Sequence, residues 1–157
     1  LPALPPATIC QEGTAAGTVM TVQLNHTIVH AHDKVATAKF MSELFDLPEP
    51  QLMGPFAVVQ VDATSLDFVD DDGKITPRHF AFLVSEAEFD AIFGKIRDRG
   101  MPYWADPFKQ KHTQINHWDD GRGVYFEDPN GHLLEIITRP YGSGGKAAKH
   151  VNPLISD

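Results

Sequence analysis

Residues 123–138, Gly-Val-Tyr-Phe-Glu-Asp-Pro-Asn-Gly-His-Leu-Leu-Glu-Ile-Ile-Thr, constrain the fold more than any other stretch of this chain. They read as a hairpin of two apolar strands. Asp128-Pro129-Asn130-Gly131 supplies the turn, with Pro fixing φ at the second position and Gly at the fourth. In the second strand, period-2 alternation puts Leu133, Glu135 and Ile137 on one face and Leu134, Ile136 and Thr138 on the other. Both faces are mostly apolar, so the strand is expected to be buried on both sides. A carboxylate in such a place costs several kcal/mol unless a cation or strong donors compensate it. The sequence therefore predicts a positive partner opposite Glu135.

The rest of the chain supplies two copies of one pattern. Val22 to Ala31 alternates as a strand, with Leu24, His26 and Ile28 sharing a face. Asp33 is placed to cap a helix whose buried stripe is expected at Ala36, Phe40, Leu44 and Leu47, and Pro48 and Pro50 end it. Gln51–Met53 reads as a short strand, and Phe56–Asp62 and Ser65–Val69 as a hairpin closed at Ala63-Thr64. After the polar turn at Asp70–Gly73 the pattern restarts. Arg78–Val84 is a strand with His79, Ala81 and Leu83 on one face. Ser85 and Glu88 form a capping box. Phe89, Ile92, Phe93 and Ile96 mark an amphipathic helix that stops at Gly100. Tyr103–Ala105 is a short strand, and a polar loop over 106–122 leads into the hairpin. Each half is strand, helix, strand, strand, strand, so the fold class is α+β with two tandem βαβββ modules, residues 21–73 and 77–141.

Bulk properties narrow the function. The 157 residues, 42% hydrophobic and 22% charged, suit one globular domain with a substantial core. A net charge of −8 and no basic run argue against nucleic acid and anionic membrane as partners. The single cysteine, Cys10, allows no disulfide within the chain, which points to a reducing, cytoplasmic setting. It has no basic neighbour to make it a reactive thiolate. No apolar run approaches the ~20 residues of a membrane span. Residues 1–20 read as a disordered leader and residues 142–157, beginning Gly-Ser-Gly-Gly, as a flexible tail.

The duplication aligns chemistry-bearing residues. His26 and His79 sit in the first strand of each half, and Asp67 and Glu135 in the last. If the halves fold alike and face each other, two imidazoles and two carboxylates converge as nitrogen and oxygen ligands of a divalent metal. That ion would be the positive partner Glu135 requires. These residues, with Leu24-Asn25-His26 and the run Asp128-Pro129-Asn130-Gly131-His132 through Glu135, resemble the vicinal oxygen chelate superfamily. That group includes glyoxalase I, extradiol dioxygenases, fosfomycin-resistance enzymes and bleomycin-binding proteins. The resemblance implies a cleft between half-barrel sheets, helices outside, and a metal held by His26, His79 and Glu135. Asp67 falls where glyoxalase-like members place a fourth ligand, normally Glu; Asp is one methylene shorter. The implied ion is Fe2+, Mn2+, Ni2+ or Zn2+. The implied partner is a second copy of the chain, in a homodimer with shared sites.

Such a site acts as a Lewis acid on two adjacent oxygens of a small-molecule substrate. With Asp67 as ligand or base and Glu135 beside it, isomerase or lyase proton transfer is slightly favoured. Fe(II) extradiol-type oxygen chemistry and metal-free antibiotic binding are the alternatives. Epoxide opening is disfavoured, because His117-Trp118-Asp119-Asp120-Gly121 stands where fosfomycin-resistance enzymes carry a Ser-containing segment. The other histidines carry weaker signals: His30 at a strand end, His32 exposed, His132 decorating the turn, His112 and His117 with Trp118 in the polar loop. Phe56, Tyr103, Trp104 and Tyr125 are assigned to the core, with a pocket wall as the alternative for one or two of them.

Overall fold

The computed structural model describes residues 22–155. The first half runs β1 (His26–Ala31), α1 (Lys34–Phe45), β2 (Gln51–Met53), β3 (Phe56–Val61) and β4 (Thr64–Asp70). The second runs β5 (His79–Leu83), α2 (Glu86–Asp98), β6 (Tyr103–Trp104), β7 (Gly123–Glu127) and β8 (Leu133–Ile137). Both halves thus follow the predicted order. Local chemistry sets the boundaries. The Asp33 carboxylate accepts from the Ala36 amide at 2.9 Å to open α1. The reciprocal Ser85–Glu88 box opens α2, and Gly100, at φ 62°, takes the left-handed conformation that closes it.

Each module folds into one four-stranded sheet, in the orders β1-β4-β3-β2 and β5-β8-β7-β6. In both, the first and last strands of the module pair in parallel. Ile28 lies opposite Asp67 in the first sheet, and Ala81 opposite Glu135 in the second. Alternation then sorts the side chains. Val29, Ala31, Ala57, Val59, Leu66 and Phe68 point from the first sheet into the core, as Val124, Phe126, Leu134 and Ile136 do from the second. The two helices contribute Met41, Leu44, Phe89, Ile92 and Ile96 to the same cluster. One core therefore serves both modules, and Phe45 of α1 packs on Phe82 of β5 with ring centroids 4.6 Å apart.

That shared core corrects the expected stripe of α1. Ala36 is exposed, Phe40 and Leu47 are half-buried, and the buried face is Thr37, Ala38, Met41, Ser42 and Leu44. The helix touches its own sheet and the second module together, so its apolar arc is turned and widened relative to a stripe facing one neighbour.

The β7–β8 turn joins the modules. Asn130 accepts from the His32 amide at 2.9 Å and donates to Thr37 Oγ1 at 3.0 Å. His132, expected to decorate the turn, is instead buried between the halves. Its Nδ1 accepts from the Arg78 amide at 3.0 Å, so the hydrogen lies on Nε2, which donates to the His30 carbonyl at 2.8 Å. The imidazole spans two backbone groups that no neighbouring strand serves.

Residues 142–157, expected as a flexible tail, are hydrogen-bonded to the body through the described part of the segment. Asp119 accepts from the amides of Gly142 and Gly144, and Asp120 from those of Lys149 and His150. The glycines there serve turns, with φ of 78° at Gly142 and 59° at Gly145. The segment read as a leader lies outside the described residues.

Replacing His132 by Ala strands a buried amide and a buried carbonyl. A loss of about 2–4 kcal/mol in unfolding free energy is expected in urea titration. A loss of only a few tenths would show that the bridge does not hold the modules together.

Candidate metal centre

Glu135 is fully buried, 0% exposed, in the middle of β8. Its Oε2 lies 3.2 Å from His79 Nε2, delivered by the neighbouring β5. His79 Nδ1–H donates to the Leu133 carbonyl at 3.0 Å, which fixes the ring and aims Nε2 at the carboxylate. The hydrogen bond to Glu135 raises the pKa of His79 above its ordinary value, against the opposing effect of burial. The place between the imidazole nitrogen and the carboxylate oxygen therefore favours positive charge, and a divalent cation there would meet the same two donors. The imidazole is partly open to the outside, with its side chain 46% exposed. This donor pair fits two ligands of a metal centre.

The remaining lone pairs of Glu135 are served by tyrosines. Tyr141 donates its hydroxyl to Oε1 at 2.8 Å and to Oε2 at 3.0 Å. Tyr125, from β7, meets the Tyr141 oxygen at 2.6 Å. With the Tyr141 proton given to Glu135, the Tyr125 hydroxyl is the donor in that pair. Burial first, and the neighbouring carboxylate with it, pushes both phenols upward, so they act as neutral donors. The His79 ring stacks on Tyr125 at 5.9 Å, and Trp118 meets Tyr125 edge-on at 6.2 Å.

His26 and Asp67 lie on the first sheet, on its face opposite the core. His26 is exposed, and its Nδ1 lies 2.8 Å from Asn25 Oδ1. With Nδ1–H given to that oxygen, Nε2 is left as the outward lone pair. Asp67 is half-buried and accepts from Ser65 Oγ at 2.7 Å. Both line an open pocket of about 570 Å³ with Met53, Phe56, Val58 and Gln60. The four residues singled out by sequence therefore come as two pairs, one on each sheet. Among the described residues of one chain, no group of three or more His, Cys, Asp or Glu side chains is placed to hold a metal ion.

The other histidines are engaged elsewhere: His30 with Asp71 at 2.8 Å, His112 accepting from Trp104 Nε1 at 2.9 Å, and His117 beside the Gly121 carbonyl at 3.2 Å. Tyr141 escaped the sequence analysis. It is the last residue of the second module, just before the Gly-Ser-Gly-Gly run, where no alternation or repeat singles it out. Its position shortly after the Glu135 strand was the one available signal.

The sequence profile of the Glyoxalase/Bleomycin resistance protein/Dioxygenase superfamily matches residues 23–136. The chain belongs to this superfamily. The match spans both modules and ends just past Glu135. Two solved structures of this fold are similar over most of their length. "Oxidase ChaP-H2" is 60% identical, with a TM-score of 0.78, over 80% of this chain and all of that one. "Oxidase ChaP-H1" is 55% identical, with a TM-score of 0.76, over 78% of this chain and 99% of that one. The metallothiol transferase FosB of Shouchella clausii is 35% identical over 60 residues, 38% of this chain and 37% of that protein. The chain thus spans about a third of that curated relative's length. No helix among the described residues of this superfamily member is long and apolar enough to cross a membrane.

The His79–Glu135 contact predicts a pH signature in metal-free protein. Because His79 is raised in the folded state, its stabilisation is fully present below the unfolded value of 6.5 and is lost as pH rises through the higher folded value. Unfolding midpoints of wild type and His79→Ala, compared from about pH 5 to about pH 9, should therefore converge as pH rises. A gap that widened with pH would contradict the assigned hydrogen bond.

Proposed function

We propose that this superfamily member is a metal-dependent oxidase whose active form is a homodimer with shared sites. Each divalent ion takes His26 from one subunit and His79 with Glu135 from the other. The substrate is a small molecule presenting two adjacent oxygens, and dioxygen takes up the electrons it loses. The observation that carries the reaction class is the 60% identity to a solved oxidase across that protein's full length. It favours oxidation over the isomerase or lyase proton transfer expected from the sequence.

The arrangement of the ligands supports the shared site. His26 and His79 each have Nδ1 tied to a nearby oxygen and Nε2 directed away from it, the posture of a ligating imidazole. The two pairs stand on sheet faces turned away from the common core. Those faces leave Ile28, Met53 and Leu83 more than half exposed, an apolar rim suited to a second copy. When bound, the ion supplies Lewis acidity toward the paired oxygens and, as Fe2+, access to dioxygen chemistry; Mn2+, Ni2+ and Zn2+ suit the same donors. The chain's own residues do the rest. Asp67, in the same pocket as His26, accepts a proton from a substrate hydroxyl. Tyr125 and Trp118 wall the Glu135 side against water. The net charge of −8 and the reducing setting suggested by the lone cysteine suit a cytoplasmic enzyme on small molecules.

Two measurements test this. Protein purified without added metal should carry about one divalent ion per chain, and with iron should consume oxygen in the presence of catechols. His79→Ala or Glu135→Ala should each weaken metal binding by at least about 100-fold. The second test mixes His26→Ala with Glu135→Ala and allows subunits to exchange. Shared sites give a mixed dimer one doubly damaged and one intact site, so metal binding and activity return. With exchange verified and no recovery, the shared-site arrangement fails.

A further inference from the structure

Glu135 holds its place through a contact that none of the eight strands supplies. The hydroxyl that grips both of its oxygens belongs to Tyr141, beyond the end of β8. Tyr141 is 39% exposed as a residue, yet its hydroxyl reaches a carboxylate that is wholly buried. A long side chain on the outside of the body keeps such a contact only if its backbone is held.

The backbone is held by two consecutive aspartates. Asp119 and Asp120 both adopt left-handed conformations, φ 55° and 58°, which turns their carboxylates toward the C-terminal segment. Asp119 is buried; its two oxygens accept from Gly142 at 3.0 Å and Gly144 at 3.2 Å, on either side of Ser143. Its own amide donates to the His150 carbonyl at 2.7 Å. Asp120 accepts from Lys149 at 3.0 Å and His150 at 2.9 Å. The approach is close: a Cβ at Gly144 would lie 2.9 Å from the Asp119 Cα and 2.8 Å from the Ala148 Cβ. These five bonds hold both ends of residues 142–150, the segment that directly follows Tyr141.

We propose that Tyr141 is a positioning residue for Glu135, delivered by a C-terminal strap that Asp119 and Asp120 fasten to the body. The inference rests on Glu135 being a metal ligand. The strap sets the plane of the carboxylate. With its hydroxyl shared between Oε1 and Oε2, Tyr141 prevents rotation about the last side-chain bond and keeps Oε2 toward His79. Tyr125 completes the chain by donating to the Tyr141 oxygen, so the strap is also locked to β7. A carboxylate held in this way meets the ion without reorganising, and outer hydrogen bonds of this kind change metal affinity by about 10- to 100-fold.

The test measures Mn(II) binding by calorimetry on the full chain in its native oligomeric state, with thermal melts run in parallel. Manganese(II) is chosen because it does not oxidise in air as Fe(II) does. Tyr141→Phe keeps the ring and removes only the hydroxyl; it should weaken Mn(II) binding by about 10-fold or more with a melting temperature near wild type. Asp119→Ala should release the strap and weaken binding to a similar degree. If the aspartate acts through Tyr141, the double variant should bind no more weakly than the worse single one. Wild-type affinity in Tyr141→Phe, or additive losses in the double variant, would overturn the proposal. Glu135→Gln separates this from the underlying metal site. Loss of binding in Glu135→Gln with none in Tyr141→Phe removes only the strap's role, whereas wild type that binds no Mn(II) removes both.

Discussion

A sheet has two faces, and in this chain one face of each sheet is committed to a single core that both modules share. That constraint governs everything else. The cluster runs from Val29 and Phe68 of the first module through both helices to Phe126 and Ile136 of the second. Period-2 alternation then leaves His26 and Asp67 on the far face of one sheet, and His79 and Glu135 on the far face of the other. A chain packed through its core-facing sides cannot also fold its outward faces together. The pairs can each be well formed and still need a partner surface, which is why a second copy enters the proposed function.

The modules differ in how far each pair is finished. Glu135 lies inside the protein, closed over by Tyr141, Tyr125 and the segment beyond β8, and His79 is fixed by the Leu133 carbonyl. His26 stands in the open and, among the described residues, is steered only by its neighbour Asn25. The asymmetry follows from burial. A carboxylate with apolar neighbours on both faces needs several donors to be tolerated, so the surrounding structure is built tightly around it. An exposed imidazole is solvated and needs only orientation.

Hydrogen bonding by side chains, more than extra apolar contact, resolves the awkward places of this fold. His132 serves an amide and a carbonyl at the seam between modules, where no strand pairs with them. Asp106 does the same for a sharp loop, accepting from the amides of Phe108, Gln110 and Lys111. Arg122 ties β7 to α2 through Glu86 and Asp90, both at 2.6 Å, while its guanidinium lies over the Phe89 ring. These pairs are largely exposed and contribute little energy singly. Their effect is to fix direction where the backbone leaves the sheets.

What the sequence determined by itself was whatever depends on near neighbours. Alternation, helix caps and turn residues are set within a few positions, so both modules, the Ser85–Glu88 box and the Asp128–Gly131 turn were legible, as were the faces that carry His26, His79, Asp67 and Glu135. The demand that Glu135 have a strong partner was legible too, because burial of a carboxylate on an apolar strand carries its cost wherever the strand lies. The partners' identities were only half legible. His79 followed from the repeat, though as a fellow ligand of an ion and not as the direct partner of Glu135, while Tyr141, the last residue of the second module, lay outside every local pattern. Tertiary structure decided the remainder: that α1 turns its buried face to meet two neighbours, that His132 spans the seam, that Asp119 and Asp120 fasten the C-terminal segment, and that the two ligand pairs lie apart within one chain. Each of these depends on hydrogen bonds or packing between residues far apart in sequence, and no local pattern encodes which distant group will be within reach.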